Sequence, residues 1–475
     1  MKSNWKPRSR HGTGFILLSL GGLLAGCASV NPSSDYERAQ VYVAEATQAD
    51  SGSLGMAVED TLVFGQIEHR MADGLTIEEA VDIALLNNKE LKAGLYEIGI
   101  SRAELVQSGL LANPSLGAVL RYPDGGGDPT VEGRLAFNLI DLWHRPARKR
   151  VSEFHLERTI LEAAHEASQV SARTKTAYVA TVAAQLKRKI EQLNLEATGE
   201  FLQLSLARQN AGAASVAETN TARAEHLEQA AILRSAELFE VETKLRLASL
   251  LGLETGPVEL TVVDPMIPHP ELDLDLESLT AIADAHRLDL WAAKENVRAM
   301  EAAVSLQKRL VLPTLEGSIE LEGRGSEYEV GPGLDLELPL FDQNQAQVSI
   351  AEMRRQQADA SFVNLRLSAH QQVRAALVRL TTTFQTARSY EEEILPLRES
   401  SLDLARRSFT AGKTGFLNVL AAQRQLISAR REAASWAESS ALMVFSLEAA
   451  CGRPLKELMG DPVQVGELPG GESGR

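Results

Sequence analysis

The sequence predicts a mainly α-helical chain with a few membrane β-strands, built as two copies of one structural unit. A turn motif, Asn210-Ala211-Gly212, recurs 200 positions later as Thr410-Ala411-Gly412. In each copy, two short alternating segments precede roughly 65–70 residues that contain almost no Gly or Pro. As a helix such a run would extend on the order of 100 Å, because each residue adds about 1.5 Å. Repeats of this length indicate two structural repeats rather than a short-period solenoid.

The N-terminus has the pattern of a secretory leader. Basic residues between Lys2 and Arg10 precede an apolar stretch, Phe15–Ala25, which is too short to cross a bilayer as a mature helix. The leader ends in Leu24-Ala25-Gly26-Cys27, which resembles the lipobox of bacterial lipoproteins. The resemblance implies cleavage before Cys27 and acylation of the new N-terminus with chains such as palmitate. Ala28 after the cysteine implies delivery to the outer membrane. The alternative is an ordinary secreted chain with a chance cysteine.

Five segments follow from the leader and the repeats. We expect a lipoprotein signal peptide at 1–26, an extended lipid-anchored arm at 27–74, a first repeat at 75–260, a second repeat at 261–456 and a flexible tail at 457–475.

Composition excludes several classes of partner. Without residues 1–26 the chain keeps 44 basic residues against 64 acidic ones. We therefore expect no nucleic-acid partner, and no basic stripe interrupting the acidic surface. Cys451 stands alone once Cys27 is acylated, so no intrachain disulfide is expected. No run of 18 apolar residues follows the leader, so no transmembrane helix is expected either.

Alternation with a period of two predicts four strands, at about 114–122, 131–140, 313–322 and 330–339. Each has an apolar and a polar face, and each is near the length that a tilted strand needs to cross a bilayer. The alternative is two soluble hairpins on a half-buried sheet. Against it, the charges along one face leave no second layer on which that face could pack.

Four membrane strands cannot close a barrel by themselves. Backbone groups that face hydrocarbon must all be hydrogen-bonded, so membrane-spanning strands have to close without edges. The smallest membrane barrels use about eight strands. Two copies of the chain would form an eight-stranded barrel that packs shut, whereas three would form a twelve-stranded barrel with room for a pore. A conduit therefore requires a homotrimer.

The long Gly-poor runs predict two helical hairpins that start directly at strand ends. In the first run, Leu186, Ile190 and Leu193 mark an apolar seam with steps of three and four residues. A long helical hairpin in a soluble bundle is the alternative. In the second run Pro396 is expected to bend the helix, whereas Glu196 occupies the equivalent place in the first.

Several motifs have the order and spacing of one known family. Leu75-Thr76-Ile77-Glu78-Glu79-Ala80 resembles that family's first-helix opening, Leu338-Pro339-Leu340-Phe341-Asp342 its strand-to-helix junction, and Ala411-Gly412 to Gln423 its hairpin tip. From Leu75 onward the chain thus resembles the outer-membrane efflux (TolC-like) family. The first-repeat junction departs from the family, with Leu142-Trp143-His144-Arg145 in place of Pro-Leu-Phe-Asp.

The resemblance implies a trimeric barrel in the outer membrane that continues into a helical tunnel across the periplasm. It implies docking to a periplasmic adaptor (membrane fusion) protein and to an inner-membrane transporter of the resistance-nodulation-division type. It also implies a gate at the hairpin tips, where Glu218 matches an acidic position of the family. Asn418 and Ala421 occupy places where some members carry Asp, so the acidic ring is thinner here. The candidate tip residues are Gly212, Glu218, Arg223, Gly412, Asn418 and Gln423.

Charged residues dominate the predicted wet face of the strands. They are Glu132, Arg134, Glu316, Glu320, Glu322, Asp335 and Glu337. Threefold repetition would make the barrel lumen strongly negative, which attracts cations and repels anions. We therefore expect cationic cargo such as metal ions or cationic drugs. The alternative is that the acids only keep the lumen hydrated.

Enzyme chemistry is not expected. Glu162 and His165 have the helical spacing of a di-iron ligand pair, but such sites need several more carboxylates, so a solvated helix face is expected. The sequence predicts no catalytic residues, no metal site and no cofactor.

The leading function predicted from the sequence is the passive exit duct of a tripartite efflux pump. A channel for protein or peptide secretion and a structural envelope lipoprotein without a pore remain alternatives.

Overall fold

The structure, a computed structural model, describes residues 29–49, 74–253, 260–264, 274–325 and 327–458. The predicted leader, the predicted acylation site Cys27 and the tail beyond 458 lie outside these ranges.

Helices dominate the described chain, and the same order of elements occurs in its two halves. A helix α1 (Ser33–Thr47) comes first. The first half then contains α2 (Ile77–Asn87), α3 (Lys89–Ser108), β1 (Ser115–Arg121), β2 (Thr130–Asn138), α4 (Asp141–Asn210) and α5 (Val216–Leu250). The second half contains α6 (Leu276–His286), α7 (Leu288–Arg309), β3 (Leu315–Arg324), β4 (Glu327–Leu336), α8 (Gln345–Ser389), α9 (Leu395–Thr410), α10 (Phe416–Cys451) and α11 (Leu455–Leu458).

The helix that opens the first half starts at a capping box, which is the pattern expected of a Thr followed three residues later by Glu. The Thr76 hydroxyl accepts a hydrogen bond from the Glu79 amide at 3.2 Å. The Glu79 carboxylate accepts one from the Thr76 amide at 2.9 Å. The two bonds satisfy amides that have no partner within the helix, and they hold the start of α2 in place.

The four strands form one antiparallel sheet in the order β1-β2-β3-β4. Each strand begins and ends within three residues of its predicted bounds. The middle pair joins the two halves of the chain, with Glu132 opposite Glu322 and Arg134 opposite Glu320. Strands β1 and β4 each have one neighbour, so both edges of the sheet are open within the chain.

The two long helices differ in continuity. Helix α4 is α-helical throughout its 70 residues, including Pro146 near its start. The second run is interrupted by a π-helical turn, Tyr390–Ile394, in which the Leu395 amide donates to the Tyr390 carbonyl. Pro396 follows directly, in the first turn of α9. Where the sequence predicts a bend at Pro396, the structure has a π turn just before the proline, which accommodates the missing proline amide.

Helix α1 corrects the expectation of an extended arm at 27–74 for residues 33–47. Ala39, Tyr42 and Val43, at helical spacing, are buried in the largest apolar cluster of the described residues. Asp35 is 1% exposed and accepts two hydrogen bonds from Arg102 of α3, at 2.5 Å each. The Ser-, Ala- and Asp-rich composition suggested an extended arm, but a short amphipathic stripe with one buried ion pair is enough to dock a helix.

Three apolar clusters hold the helices together. The first packs α1 to α5 and the start of α7 around Tyr178. The second packs α6, α8 and α10 around Leu447, and the third joins the two hairpins near their tips around Phe409 and Phe416. Within the described residues, no helix combines the length and apolar character needed to cross a membrane.

Candidate functional site

One face of the sheet is apolar and bare. We call it the apolar face, and it comprises Leu116, Leu120, Val131, Leu135, Phe137, Ile319, Leu321, Val330, Leu334 and Leu336. Leu116 is 82% exposed, and Val330 and Leu334 are 69% and 68% exposed. A contiguous apolar surface of this kind marks contact with lipid or with another protein.

The opposite face, which we call the charged face, brings the predicted wet-face residues together around Arg134. Its guanidinium donates to Glu316 at 2.8 Å and to Asp335, and its Nε lies 3.7 Å from Glu320. Arg121 pairs with Glu132 at 2.9 Å. Glu322 lies opposite Glu132 in the register, and Glu337 accepts a hydrogen bond from Thr314 just beyond β4. That this face lines a lumen stays a prediction.

Two further acids belong to the charged face and were missed. Glu327 and Glu329 lie opposite Arg324 and Glu322 in the register of β3 and β4. The predicted fourth strand starts at 330 because a turn is expected around Gly323 to Glu329. Period-two alternation already starts at Glu327, however, and it could have placed both acids on this face.

The two hairpin tips turn in the same way. Gly212 and Gly412, at φ of +73° and +71°, end α4 and α9 in the left-handed conformation. The amide three residues past the end of each helix then donates back to the helix, from Ala213 at 2.8 Å and from Lys413 at 2.9 Å. This pattern satisfies free carbonyls and reverses the chain, and a side chain at either glycine would strain it.

The tips also contact each other within one chain. The guanidinium of Arg208 lies 4.2 Å from the centre of the Phe409 ring. The rings of Phe201 and Phe416 stack with centroids 4.9 Å apart. The first and second hairpins are therefore packed together down to their turns.

The predicted tip residues divide into exposed and buried ones. Arg223 and Asn418 are exposed, and Glu218 is partly exposed in the first turn of α5. Gln423 is only 3% exposed, and both polar atoms of its amide lack a hydrogen-bond partner among the described residues. Gln423 thus does not lie at an opening in the single chain, because the adjacent turn of α10 packs into the tip cluster.

A buried ion pair joins the two halves farther from the tips, and sequence reasoning missed it. Arg431 of α10 donates to both carboxylate oxygens of Glu191 of α4, at 2.7 Å each. Gln229 of α5 donates to the same carboxylate at 2.5 Å and accepts from Arg431 at 3.0 Å. Burial opposes ionisation of Glu191, but the bonds from Arg431 and Gln229 outweigh it and lower its pKa. No local pattern reveals this contact.

Titratable side chains also line a polar cavity of about 40 Å³, which has room for water molecules. It is lined by His165 and His286 and by the paired residues Lys175 and Glu448. Burial lowers the pKa of both histidines, so they are neutral at neutral pH. Glu162 pairs instead with Arg158, at 3.5 Å. Among the described residues, no three His, Cys, Asp or Glu side chains come close enough together to hold a metal ion.

The fold and these surfaces can be compared with known proteins. Residues 279–453 match the family model described as outer membrane efflux protein. Over these residues the chain is similar to the outer membrane efflux proteins. This match confirms the resemblance stated from the sequence.

Two related proteins can be aligned with most of the chain. The cobalt-zinc-cadmium resistance protein CzcC of Cupriavidus metallidurans is 24% identical over 369 residues, which are 76% of this chain and 85% of the relative. Protein CyaE of Bordetella pertussis is 24% identical over 420 residues, which are 82% of this chain and 87% of the relative.

Solved structures share the fold. The CusC structure, whose study concerns folding and transmembrane channel formation, superposes with a TM-score of 0.68 at 17% identity, covering 79% of this chain and 92% of CusC. The outer membrane protein VceC of Vibrio cholerae superposes with a TM-score of 0.65 at 18% identity, covering 80% and 96%. The predicted fold class, mainly α with membrane strands, is confirmed.

Proposed function

We propose that three copies of this chain form the outer-membrane exit duct of a tripartite efflux pump and conduct cations passively. The observation that carries the proposal is the sheet itself, which has a bare apolar face and a charged face. A soluble sheet buries its apolar face against a second layer. A sheet whose apolar face stays uncovered while its other face is ionic suits lipid outside and water inside.

The need to close the barrel supports an assembly of three copies. The open edges of β1 and β4 would expose unpaired backbone groups to hydrocarbon, so they have to pair with other copies. Three copies supply twelve strands, enough for a water-filled interior.

The helices offer matching surfaces for the same assembly. Helix α5 carries exposed apolar side chains such as Leu227 and Leu238, and α8 carries Val363 and Val378. Neighbouring copies would bury these edges against each other and continue the barrel as a helical tunnel through the periplasm. The hairpin tips would then meet a periplasmic adaptor and, through it, an inner-membrane transporter of the resistance-nodulation-division type. Acylation at Cys27 would anchor the same assembly to the outer membrane.

The charged face supports cationic cargo. Glu316, Glu320 and Asp335 surround one Arg134, so this cluster keeps a negative excess in every protomer. Threefold repetition concentrates that charge in a narrow, low-dielectric channel, which raises the local concentration of cations. The relative CzcC, named for resistance to cobalt, zinc and cadmium, supports metal ions as one cargo. The duct carries out no chemistry of its own.

Ion selectivity in planar bilayers tests the proposal. We expect the unsubstituted channel to prefer cations, and Glu316→Gln, Glu320→Gln and Glu322→Gln together to reduce that preference, measured as the reversal potential in a salt gradient. A matched control removes three exposed acids from helices outside the sheet, by Glu78→Gln, Glu97→Gln and Glu301→Gln. An unchanged reversal potential in the sheet variant would contradict the cation preference, and the absence of any current would contradict the duct itself.

A further inference from the structure

The junction between β2 and α4 is basic, in a chain whose net charge is −16. Residues 142–152 contain Arg145, Arg148, Lys149 and Arg150 and no acid. This segment corrects the expectation that no basic stripe interrupts the acidic surface. The same segment departs from the junction motif of the family, and the proposed duct does not use it.

Two of the junction cations are neutralised and the others are not. Arg148 pairs with Asp141 at 2.5 Å, and Lys149 pairs with Glu153 at 3.2 Å. Arg145 and Arg150 are exposed, and neither has a carboxylate partner within the described part of the chain. These two arginines therefore project positive charge into their surroundings.

An exposed tryptophan organises one side of the junction. Trp143 is 61% exposed and comes five residues after the end of β2. The guanidinium of Arg309, at the end of α7, lies 5.8 Å from the centre of its ring. Arg309 is exposed and, like Arg150, has no carboxylate partner among the described residues. An indole with one apolar and one polar end suits the boundary between hydrocarbon and headgroups.

Helix geometry places Arg150 with this pair. Seven residues separate Trp143 from Arg150, nearly two full turns, so both lie on the same face of α4. Arg150 stands over the Phe154 ring at 5.7 Å, which holds its guanidinium against the helix. Arg145 follows Trp143 by two residues and lies on the other side of the helix.

The second half lacks an equivalent. Residues 341–352 contain no cation and two acids, Asp342 and Glu352. Phe341 is 93% exposed there, so an aromatic side chain marks this junction as well. Both junctions therefore present an aromatic ring beside the sheet, and only the first adds positive charge.

We infer that Trp143, Arg150 and Arg309 form a docking surface for the headgroup of an anionic phospholipid in the periplasmic leaflet of the outer membrane. The inference rests on the proposed function, because it places the apolar face in the bilayer. The occupant follows from charge complementarity and from continuity with the apolar face. Arg150 and Arg309 supply positive charge for an anionic headgroup, and Trp143 lies nearer the sheet than Arg150 does, on the side of the acyl chains. Each protomer has one such surface, so the channel has three.

Lipid titration of the purified trimer in detergent tests this surface. Native mass spectrometry would measure the affinity for phosphatidylglycerol and for phosphatidylcholine with the same acyl chains. Each arginine near a membrane surface contributes roughly a fivefold increase in affinity for anionic lipid. We expect Arg150→Gln with Arg309→Gln to weaken phosphatidylglycerol binding about tenfold or more, with little change for phosphatidylcholine.

Two control variants distinguish binding at the proposed docking surface from nonspecific attraction between arginines and anionic lipid. Arg374→Gln with Arg379→Gln removes two exposed arginines of α8 that lack a carboxylate partner among the described residues. Arg145→Gln removes a cation from the same junction but from the other side of the helix. Both are expected to leave the preference for phosphatidylglycerol in place, and an equal loss in either control would overturn the surface.

A second measurement does not depend on the arginine variants. In vesicles with brominated phosphatidylglycerol, Trp143 fluorescence should be quenched more strongly than with brominated phosphatidylcholine, after subtraction of a Trp143→Phe background. Equal quenching by the two lipids, or displacement of phosphatidylglycerol by inorganic phosphate, would overturn the lipid assignment.

Bilayer current of the unsubstituted chain separates failure of the proposed duct from failure of the headgroup surface. No current contradicts the duct, whereas current with equal affinity for both lipids contradicts only the headgroup surface.

Discussion

The helical body and the sheet of this chain differ in how far they bury their large apolar side chains. In the helical body, large apolar side chains such as Leu247, Leu251 and Ile160 are completely buried by other helices of the same chain. In the sheet, Leu116, Val330 and Leu334 are more than two-thirds exposed. The same hydrophobic effect acts in both regions, at about 25 cal/mol for each Å² removed from water.

The difference shows which region depends more on contacts outside the single chain. The helical body has apolar cores of its own, although α5 and α8 also expose some apolar side chains, and it pairs a buried carboxylate, Glu191, with Arg431. The sheet satisfies neither its apolar face nor its two edges within one chain. In the proposed duct, the membrane and the neighbouring copies supply the apolar contact and the further strands that the sheet lacks.

Placing a charge on the apolar face should break the sheet first. Ile319 lies in the middle of β3 and is 51% exposed. Ile319→Arg would put a cation into hydrocarbon, which costs about 2–4 kcal/mol near the bilayer midplane. We expect loss of the heat-modifiable trimer on gels, whereas Glu322→Arg, on the charged face of the same strand, should be tolerated. Normal trimer yield from the Ile319 variant would place this face outside the membrane.

Removing the partner of a buried acid should have the next largest effect, in the helical body. Arg431→Ala leaves Glu191 buried and unpaired, but Arg431 itself is 37% exposed, so solvent screening reduces the loss. We expect the trimer to lose about 1–3 kcal/mol per protomer, measured by thermal or denaturant unfolding in detergent. Arg374→Ala, at an exposed site, should change the stability by less than about 0.5 kcal/mol.

The same ion pair should make the helical body sensitive to acid. Because the pKa of Glu191 is lowered in the folded chain, its stabilisation is present above the ordinary glutamate pKa, which is about 4.3. It is lost as the pH falls through the lower folded value. We therefore expect Glu191→Gln to be less stable than the unsubstituted chain at pH 7, and the two melting temperatures to converge below about pH 4. A difference that is independent of pH would show that the charge of Glu191 does not matter.

The smallest expected effect concerns the caps at the two tips. Ser215 accepts a hydrogen bond from the Glu218 amide at the start of α5, whereas Gly415 starts α10 without a side-chain cap. Ser215→Ala should cost about 1 kcal/mol of helix stability, and Gly415→Ser should add a few tenths. Hydrogen exchange at the first turns of α5 and α10 would measure both, and equal exchange in all three chains would contradict the cap.

Much of the fold could be predicted from local patterns. The alternation of Glu316, Ile319 and Glu320 predicted a strand with unlike faces, because neighbouring side chains of a strand point in opposite directions. The near absence of Gly and Pro predicted the long helices, and Thr76 with Glu79 predicted the start of α2. Helix α1 was missed because its apolar stripe is short and lies in a polar segment.

The functional surfaces were predictable in part. Sequence reasoning placed Arg134, Glu316, Glu320 and Asp335 on one face of the strands, but it could not find the contact of Glu191 with Arg431, 240 residues apart. It also placed Gln423 with the tip residues, whereas packing against Phe416 and its neighbours buries that side chain. Burial depends on what lies across the interface, and a helical pattern does not report that.

The sequence by itself determined the local geometry of this protein: the period of each segment, the length of each helix and the face on which each strand residue lies. These properties depend only on neighbours along the chain, through backbone geometry. The tertiary structure decided which faces meet. Pairing of β2 with β3 brings Arg134 to Glu316 and Asp335, 182 and 201 residues away, and so joins both halves in one sheet. Such contacts form by helix packing and by pairing of strands. They join residues that are far apart along the chain, and local sequence patterns do not specify which distant segments will meet.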